Sequence, residues 1–456
     1  MEIQEIVSRQ REYYFSGATL PVEKRIITLK KIKSLLYENR SEINKAFMDD
    51  YNKCEMDVTS TEFYMVIAEI DYLLKHIRKL AKPKKVRPSI ANFPSKGFLI
   101  SEPYGVVLIV SPWNYPLQLT LAPLVGAIAA GNTVVVKPSN YAKNVSAIMA
   151  KMFSAFDPAY ISFVLGGREQ NQLLFEQTFD YIFFTGGQVV GKLLMTKAAE
   201  HLTPVSLELG GKSPAIIDED ADLDLAARRL AWAKFLNAGQ TCVAPDHFIV
   251  HEKVHDEFVR LLLKYIKEFF YVNGKLTHNF PYVINDKHVE MLQALIQPEK
   301  LIWGGKIPFG RALEPTVLDH ATYQDPSMQE EIFGPILPIL TFSSLEDLLN
   351  EQIRRPKPLA FYYFSKNIRK AKRVMGRMSY GGGCINQAIM HMTSDSMPFG
   401  GVGRSGMGSY HGEMSFRTFS HQKSVLVKKK AELKVLYPPY TEKKLNVIKL
   451  LAGIKK

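Results

Sequence analysis

Residues 106–110 read VVLIV and residues 133–137 read TVVVK. Neither run alternates apolar with polar side chains, so each must be covered on both faces, as the strands of a parallel sheet are. Leu119 to Ala130 lies between them as an apolar helix, and Tyr141 to Phe156 follows as a second. The alternation continues with a strand at ISFVL (161–165), a helix from Gln170 to Thr178, and a strand at YIFFT (181–185). Strands each followed by a helix predict an α/β fold with a Rossmann-like parallel sheet.

Outward from this block the same logic finds a second α/β region from about Leu209. Its strands are AII (215–217), HFIV (247–250), PILPILTF (335–342), LAFYYFS (359–365) and GCIN (383–386). Before the first block, Ile26 to Leu36 and Phe63 to Leu80 repeat apolar residues at helical spacing. Pro83 to Ser101 is basic and ends in the strand-like GFLIS. After the second block comes a glycine-rich stretch (399–412), then a strand-like SVLVK and a basic tail.

With 456 residues, 46% hydrophobic and 23% charged, the chain can bury large cores and a deep cleft. Cys54, Cys242 and Cys384 are odd in number and lack a CxxC or Cys/His cluster, which argues against a disulfide framework or a structural metal. The polar N-terminus does not read as a signal peptide and no run is apolar enough to span a membrane, so a cytoplasmic protein is expected. The net charge of +13 is concentrated in Lys75 to Lys96, with eight Lys/Arg, and in His421 to Lys456, with ten Lys and two Glu. Neither stretch interleaves aromatics as a single-strand binder would, so no nucleic-acid partner is expected. Solvated surface and attraction to anionic lipid remain open readings.

Four segments carry chemistry. In NAGQTCVAP (237–245), Cys242 follows a glycine turn among small residues, which lets a carbonyl reach the sulfur, although an isolated cysteine is most often an inert core residue. In LELGGKSP, Glu208 sits between Leu207 and Leu209, and burial there raises a carboxyl towards the range of a general base. The alternative is a core glutamate bonded to backbone amides. In SPWNYP (111–116), Asn114 follows the first sheet strand, where ligands of open parallel sheets bind, and can donate to a developing oxyanion or simply cap the next helix. In VVVKPS and FFTGGQVVG, Lys137 ends a strand, and Gly186, Gly187 and Gly191 lie at a strand-to-helix junction suited to a pyrophosphate. Gly401, Gly403 and Gly406 spell a literal GxGxxG, but they follow Met-Pro-Phe and no βαβ unit surrounds them. A packing loop is expected there.

Taken together, SPWNYP, VVVKPS, FFTGG, LELGGKSP, NAGQTCVAP, EEIFGP, GGCIN and MPFGGVGRSGMGSYHG resemble signature segments of the aldehyde dehydrogenase superfamily, in family order. With FSHQKSVLVK and YPPY, the last resembles the class 3 branch that acts on fatty and aromatic aldehydes; the likeness spans roughly Phe15 to Tyr440. It implies three parts: an NAD(P)-binding domain over 1–208 with an oligomerisation hairpin at about 82–103, a catalytic domain over 209–391, and a return segment, bridging strand and tail over 392–456. It also implies a nucleophilic role for Cys242, general base for Glu208 and oxyanion donor for Asn114. Lys137 would hold the adenosine ribose, Gly186 to Gly191 the pyrophosphate, Glu331 and Phe333 the nicotinamide ribose and ring, and Asn386 a structural position.

The implied reaction is oxidation of an aldehyde, medium- or long-chain aliphatic or aromatic, to the acid through a cysteine thioester, with NAD or NADP. A homodimer is implied, and the basic tail suggests weak peripheral membrane association. Two departures stand out: Asn140 replaces the usual Glu after KPS, and Gly187 replaces the usual Ser of FTGS. The first predicts use of both cofactors. Two other readings remain: a non-catalytic or membrane-surface protein on the same scaffold, and transfer of the thioester to coenzyme A, which Glu208 disfavours. Tyr115 and Trp232 are candidates for lining a substrate channel.

Overall fold

The computed structural model describes residues 2–89, 92–428, 430 and 433–454. Its five apolar strands run parallel in the order Val205–Leu209, Tyr181–Gly186, Val106–Val110, Thr133–Lys137, Ile161–Phe163. The chain therefore winds outward from Val106–Val110 in one direction and then returns to add Tyr181–Gly186 on its other side. That reversal opens a crevice beyond the carboxyl ends of these two strands. Every residue of Val106–Val110 and Thr133–Lys137 is buried, as their unbroken apolar character requires.

Helix Pro116–Ala130 is buried all round, which explains why it shows no polar face. It starts three residues earlier than its apolar run suggests. Proline opens its first turn, and the main-chain N–H groups of Leu117 and Gln118 donate to Glu62 Oε2 at 3.1 and 2.9 Å. A cap supplied by a residue this remote in sequence cannot be seen in the local pattern. Glu62 itself lies in a π-helical turn, Thr59–Phe63, ahead of helix Tyr64–Leu80; such turns re-aim side chains. Helices Val22–Glu38 and Tyr64–Leu80 both pack on Pro116–Ala130.

A second sheet has the order Leu301–Trp303, Thr316–Leu318, Ile336–Phe342, His247–His251, Pro214–Ile217, Ala360–Phe364, Gly382–Ile385, parallel except for its first pair. Its first two strands, three residues each, are too short to carry a readable alternation. The GFLIS and SVLVK segments belong to one antiparallel sheet, in which Ser95–Pro103 pairs along its whole length with Ser420–Lys428 and also with Lys84–Val86. Residues 90 and 91 of the expected hairpin lie outside the described residues.

The glycine-rich segment is not only loop. Gly406–Met407 adds an antiparallel edge to Val205–Leu209, with Gly406 opposite Glu208. Gly406 has φ +134, and a Cβ there would fall 2.0 Å from the Leu207 carbonyl oxygen. Only glycine permits that approach. The helix expected over Gln170 to Thr178 forms as Arg168–Phe175, and the strand expected over 161–165 is confined to Ile161–Phe163.

Candidate active site

Cys242 owes its position to a forced turn. Helix Leu223–Phe235, capped by Asp222 on the Leu225 N–H, ends in the turn Leu236–Gly239. There Asn237, Ala238 and Gly239 take φ values of 54, 53 and 71. Such conformations are costly for residues with a side chain and persist only where surroundings hold them. Asn237 Nδ2 bonds the main-chain oxygens of Asn114 (2.9 Å) and Gln240 (3.2 Å). Gln240 in turn donates to Tyr282 and accepts from the Ile284 N–H.

Asn114 is tied to the same loop. Its Nδ2 donates to the Gln240 carbonyl at 3.1 Å, two residues before Cys242. The next residue, Tyr115, shares a 2.6 Å hydrogen bond between its hydroxyl and that of Thr241, beside the cysteine. The turn after the first sheet strand is thus bonded on both sides to the cysteine loop. Behind it, Lys53 reaches the Asn114 carbonyl at 3.4 Å and Glu62 at 3.4 Å.

Glu208 lies on Val205–Leu209, 3% exposed, and neither carboxylate oxygen has a partner among the described residues. Burial alone lifts its pKa well above the usual carboxylate range. It faces one chamber with Cys242, Tyr115, Gln118, Leu119, Thr185, Leu209, Thr241, Leu359, Met392 and Phe399. The Cys242 thiol is pushed up to about 12 by burial and then by the neighbouring Glu331 and Glu208.

The residues assigned to a dinucleotide gather at the crevice. Lys137 is 2% exposed and, among the described residues, its Nζ donates only to the carbonyl of Pro138, at 2.8 Å; burial lowers it to about 8. Gly186 closes its strand and Gly187 begins helix Gln188–Glu200, with nothing within 4 Å of where a Gly187 Cβ would lie. That open, donor-rich helix start fits a pyrophosphate. Gly191 differs: its absent Cβ would meet Leu209 at 2.8 Å, so it lets the helix approach the sheet.

Glu331 presses its carboxylate against Gly210, where a Cβ would lie 1.9 Å from an oxygen, and burial followed by the charge of Asp246 raises it to about 8. Phe333 holds φ 53; His288 Nε2 meets its carbonyl at 2.9 Å and its ring sits edge-on to Trp113. Asn386 closes a reciprocal pair with the Ser365 main chain, at 2.8 and 2.9 Å. Trp232 is 37% exposed and does not line the chamber.

Several site residues carry no local signature. Lys212, just after the two glycines of LELGGK, pairs with Asp246 and donates to the carbonyls of Ser327 and Glu330 at 2.7 and 2.9 Å. Asp246 also accepts from the Ile332 N–H at 2.9 Å. The pair pins the EEIFGP loop to the cysteine loop, and a lysine beside a glycine turn gives no hint of it. One triad with metal-ligand chemistry, His255, Asp319 and His320, converges within 4.8 Å among the described residues. Burial opposes charge on His255, but its hydrogen bonds to Asp256 and Asp319, both 2.8 Å, outweigh it and raise its pKa. Both ring nitrogens of His255 are thus engaged by carboxylates.

The model of the aldehyde dehydrogenase family matches residues 1–425. The mouse protein "Aldehyde dehydrogenase family 3 member B1" is 43% identical over 443 residues, 96% of this chain and 95% of that one. The dog "Aldehyde dehydrogenase, dimeric NADP-preferring" is 40% identical over 443 residues, covering 96% of this chain and 98% of that one. Among solved structures, "Substrate bound state of Staphylococcus Aureus AldH" shares 41% identity, covers 100% of both chains and superposes with a TM-score of 0.96.

Proposed function

Because this chain belongs to the aldehyde dehydrogenase family, oxidising aldehydes to carboxylic acids with NAD or NADP, we propose that Cys242, Glu208 and Asn114 carry that reaction here. The observation that supports it best is the unpartnered Glu208 carboxyl sharing one buried chamber with Cys242. An acid left without a partner in a core is costly, and a general base is a reason to keep it.

The Cys242 thiol releases its proton to solvent, and its sulfur bonds to the aldehyde carbon as the C=O π pair moves to oxygen. The resulting oxyanion is held by an Asn114 Nδ2–H and the Cys242 main-chain N–H, a donor of this kind being worth about 3 kcal/mol. When bound, the dinucleotide would supply the hydride acceptor, leaving a thioester on Cys242. Glu208 then takes a proton from water as its oxygen bonds to the thioester carbon. The C–S bond breaks, the acid departs and Cys242 leaves as thiolate. Lys137, Gly186, Gly187, Glu331 and Phe333 would bind and orient the dinucleotide.

A medium- or long-chain aliphatic or aromatic aldehyde is supported by the uncharged side chains of Leu119, Leu209, Leu359, Met392 and Phe399 that line the chamber with Cys242. The dog relative's description as dimeric supports a homodimer. A cytoplasmic location is part of this proposal. Weak peripheral membrane association through the tail is supported by helix Glu442–Leu451, which exposes Leu445, Val447, Leu450 and Leu451 beside its lysines.

The deciding measurement is NAD(P)H formation from a panel of aldehydes without coenzyme A, for wild type and Cys242→Ser. The wild type should turn over apolar aldehydes fastest, and the serine variant should bind cofactor but not oxidise. Substantial turnover by Cys242→Ser would remove Cys242 from the mechanism.

A further inference from the structure

Gln118 lies in the first turn of helix Pro116–Ala130, 1% exposed, and its carboxamide nitrogen has no partner among the described residues. It faces the chamber that holds Cys242 and Glu208. Two other groups in that chamber are also unpartnered: both Glu208 oxygens and the Thr185 hydroxyl. Thr185 and Glu208 are direct neighbours in parallel register on adjacent strands, so their side chains project from the same face. The remaining chamber residues include Leu119, Leu209, Leu359, Met392 and Phe399, which offer a water nothing.

Three buried, unbonded polar groups around one small cavity specify a ligand that both donates and accepts. The cavity measures about 20 Å³. A single water needs roughly 10–15 Å³ and two to four polar partners. Gln118 is also firmly placed, since its main-chain N–H and that of Leu117 are both held by Glu62 Oε2.

We propose that Gln118 is a further catalytic residue, whose carboxamide N–H, together with Thr185, holds the water that Glu208 activates against the thioester. This rests on the assignment of Cys242 and Glu208 made above. The hydrogen-bonding inventory of that water closes. One O–H donates to Glu208, the other to the Thr185 hydroxyl; one lone pair accepts from Gln118, and the second faces the acyl carbon. In the step itself the water oxygen bonds to the acyl carbon and its proton passes to Glu208. The C–S bond breaks with its electron pair left on sulfur, so carboxylic acid and Cys242 thiolate result with charge conserved. Leucine at 118 would keep the volume and remove the donor.

The test compares wild type, Gln118→Leu, Gln118→Asn and Glu208→Gln with benzaldehyde and NADP. Three quantities are read: the single-turnover rate of NADPH formation, steady-state kcat, and the fraction of acid-quenched chain carrying an acyl group, by intact mass. For Gln118→Leu the single-turnover rate should match wild type. Its kcat should fall about tenfold, the effect of one lost hydrogen bond, and its acyl-enzyme fraction should rise. Gln118→Asn, which keeps the amide one carbon shorter, should recover part of kcat. An unchanged kcat, or a single-turnover rate that falls with it, overturns the proposal. Should Gln118→Leu fail to bind NADPH, Gln118→Asn decides: acyl-enzyme accumulation supports the role and none overturns it. Glu208→Gln separates the underlying assignment, since failure of that variant to accumulate acyl-enzyme would undo the base itself.

Discussion

The Lys53 ammonium lies 3.4 Å from Glu62, with the two side chains 1% and 0% exposed, and the pair sits directly behind the turn that carries Asn114. Lys53 Nζ also stands 4.5 Å from the centre of the Tyr115 ring. One residue of this pair holds the Asn114 carbonyl and the other caps the helix that follows.

Removing Lys53 strands a buried carboxylate. Lys53→Met should lower stability by about 3–5 kcal/mol in urea unfolding, and Lys53→Met/Glu62→Gln should lose less than the two single changes combined. Burial outweighs Lys53 and raises Glu62 to about 7, above its unfolded value. The folded state thus binds that proton more tightly, and Glu62 requires its counter-ion only when ionised. The cost of Lys53→Met should therefore grow as pH rises through about 7 and shrink below it. A cost independent of pH between 6 and 8.5 would contradict this.

Cys242 should behave as a reluctant thiol in the free enzyme. With its pKa raised to about 12, the thiolate fraction is small at neutral pH. Alkylation of the Cys242 peptide by iodoacetamide, followed by mass spectrometry, should accelerate about tenfold per pH unit from 7 to 9. A plateau below pH 8 would show that some group stabilises the thiolate already.

Asn140 is exposed at the end of the Lys137 strand, with its amide nitrogen 3.6 Å from where a Gly167 Cβ would lie. A neutral amide can bond ribose hydroxyls but does not repel a 2′-phosphate, as a carboxylate does. Steady-state kinetics should show activity with both NAD and NADP, and Asn140→Glu should shift the preference to NAD. A wild-type preference for NAD above about a thousandfold would refute this reading of Asn140.

The tail can be tested by co-sedimentation with anionic vesicles, comparing the full chain with a truncation after Tyr440. Leu450 is 81% exposed and Ile454 57%; Lys443, Lys444 and Lys449 supply positive charge, while Lys455 and Lys456 lie outside the described residues. The full chain should bind at low salt, lose binding as salt screens the lysines, and bind less when truncated. Equal sedimentation of both would end the idea.

Much of the architecture was written locally. The runs VVLIV and TVVVK required two-sided burial and the helices between them fixed a parallel connection, while the strand order that puts a crevice at Asn114 and Gly187 came only with the fold. Cys242, Glu208 and Asn114 stood out locally only as candidates, each with a structural alternative, and the resemblance to the aldehyde dehydrogenases implied their roles. What the tertiary structure alone decided is who stands behind and around them. Glu62 caps a helix 55 residues away, Gly406 approaches Leu207 from the far end of the chain, and Lys212 grips loops more than a hundred residues on. Gln118 reads in sequence as one polar residue in an apolar helix, and only the folded chamber shows it lining the same cavity as Glu208. Periodicity and burial are short-range consequences of backbone geometry, so sequence reports them. Hydrogen-bond partners across a core depend on how separate elements pack, and no local pattern encodes that.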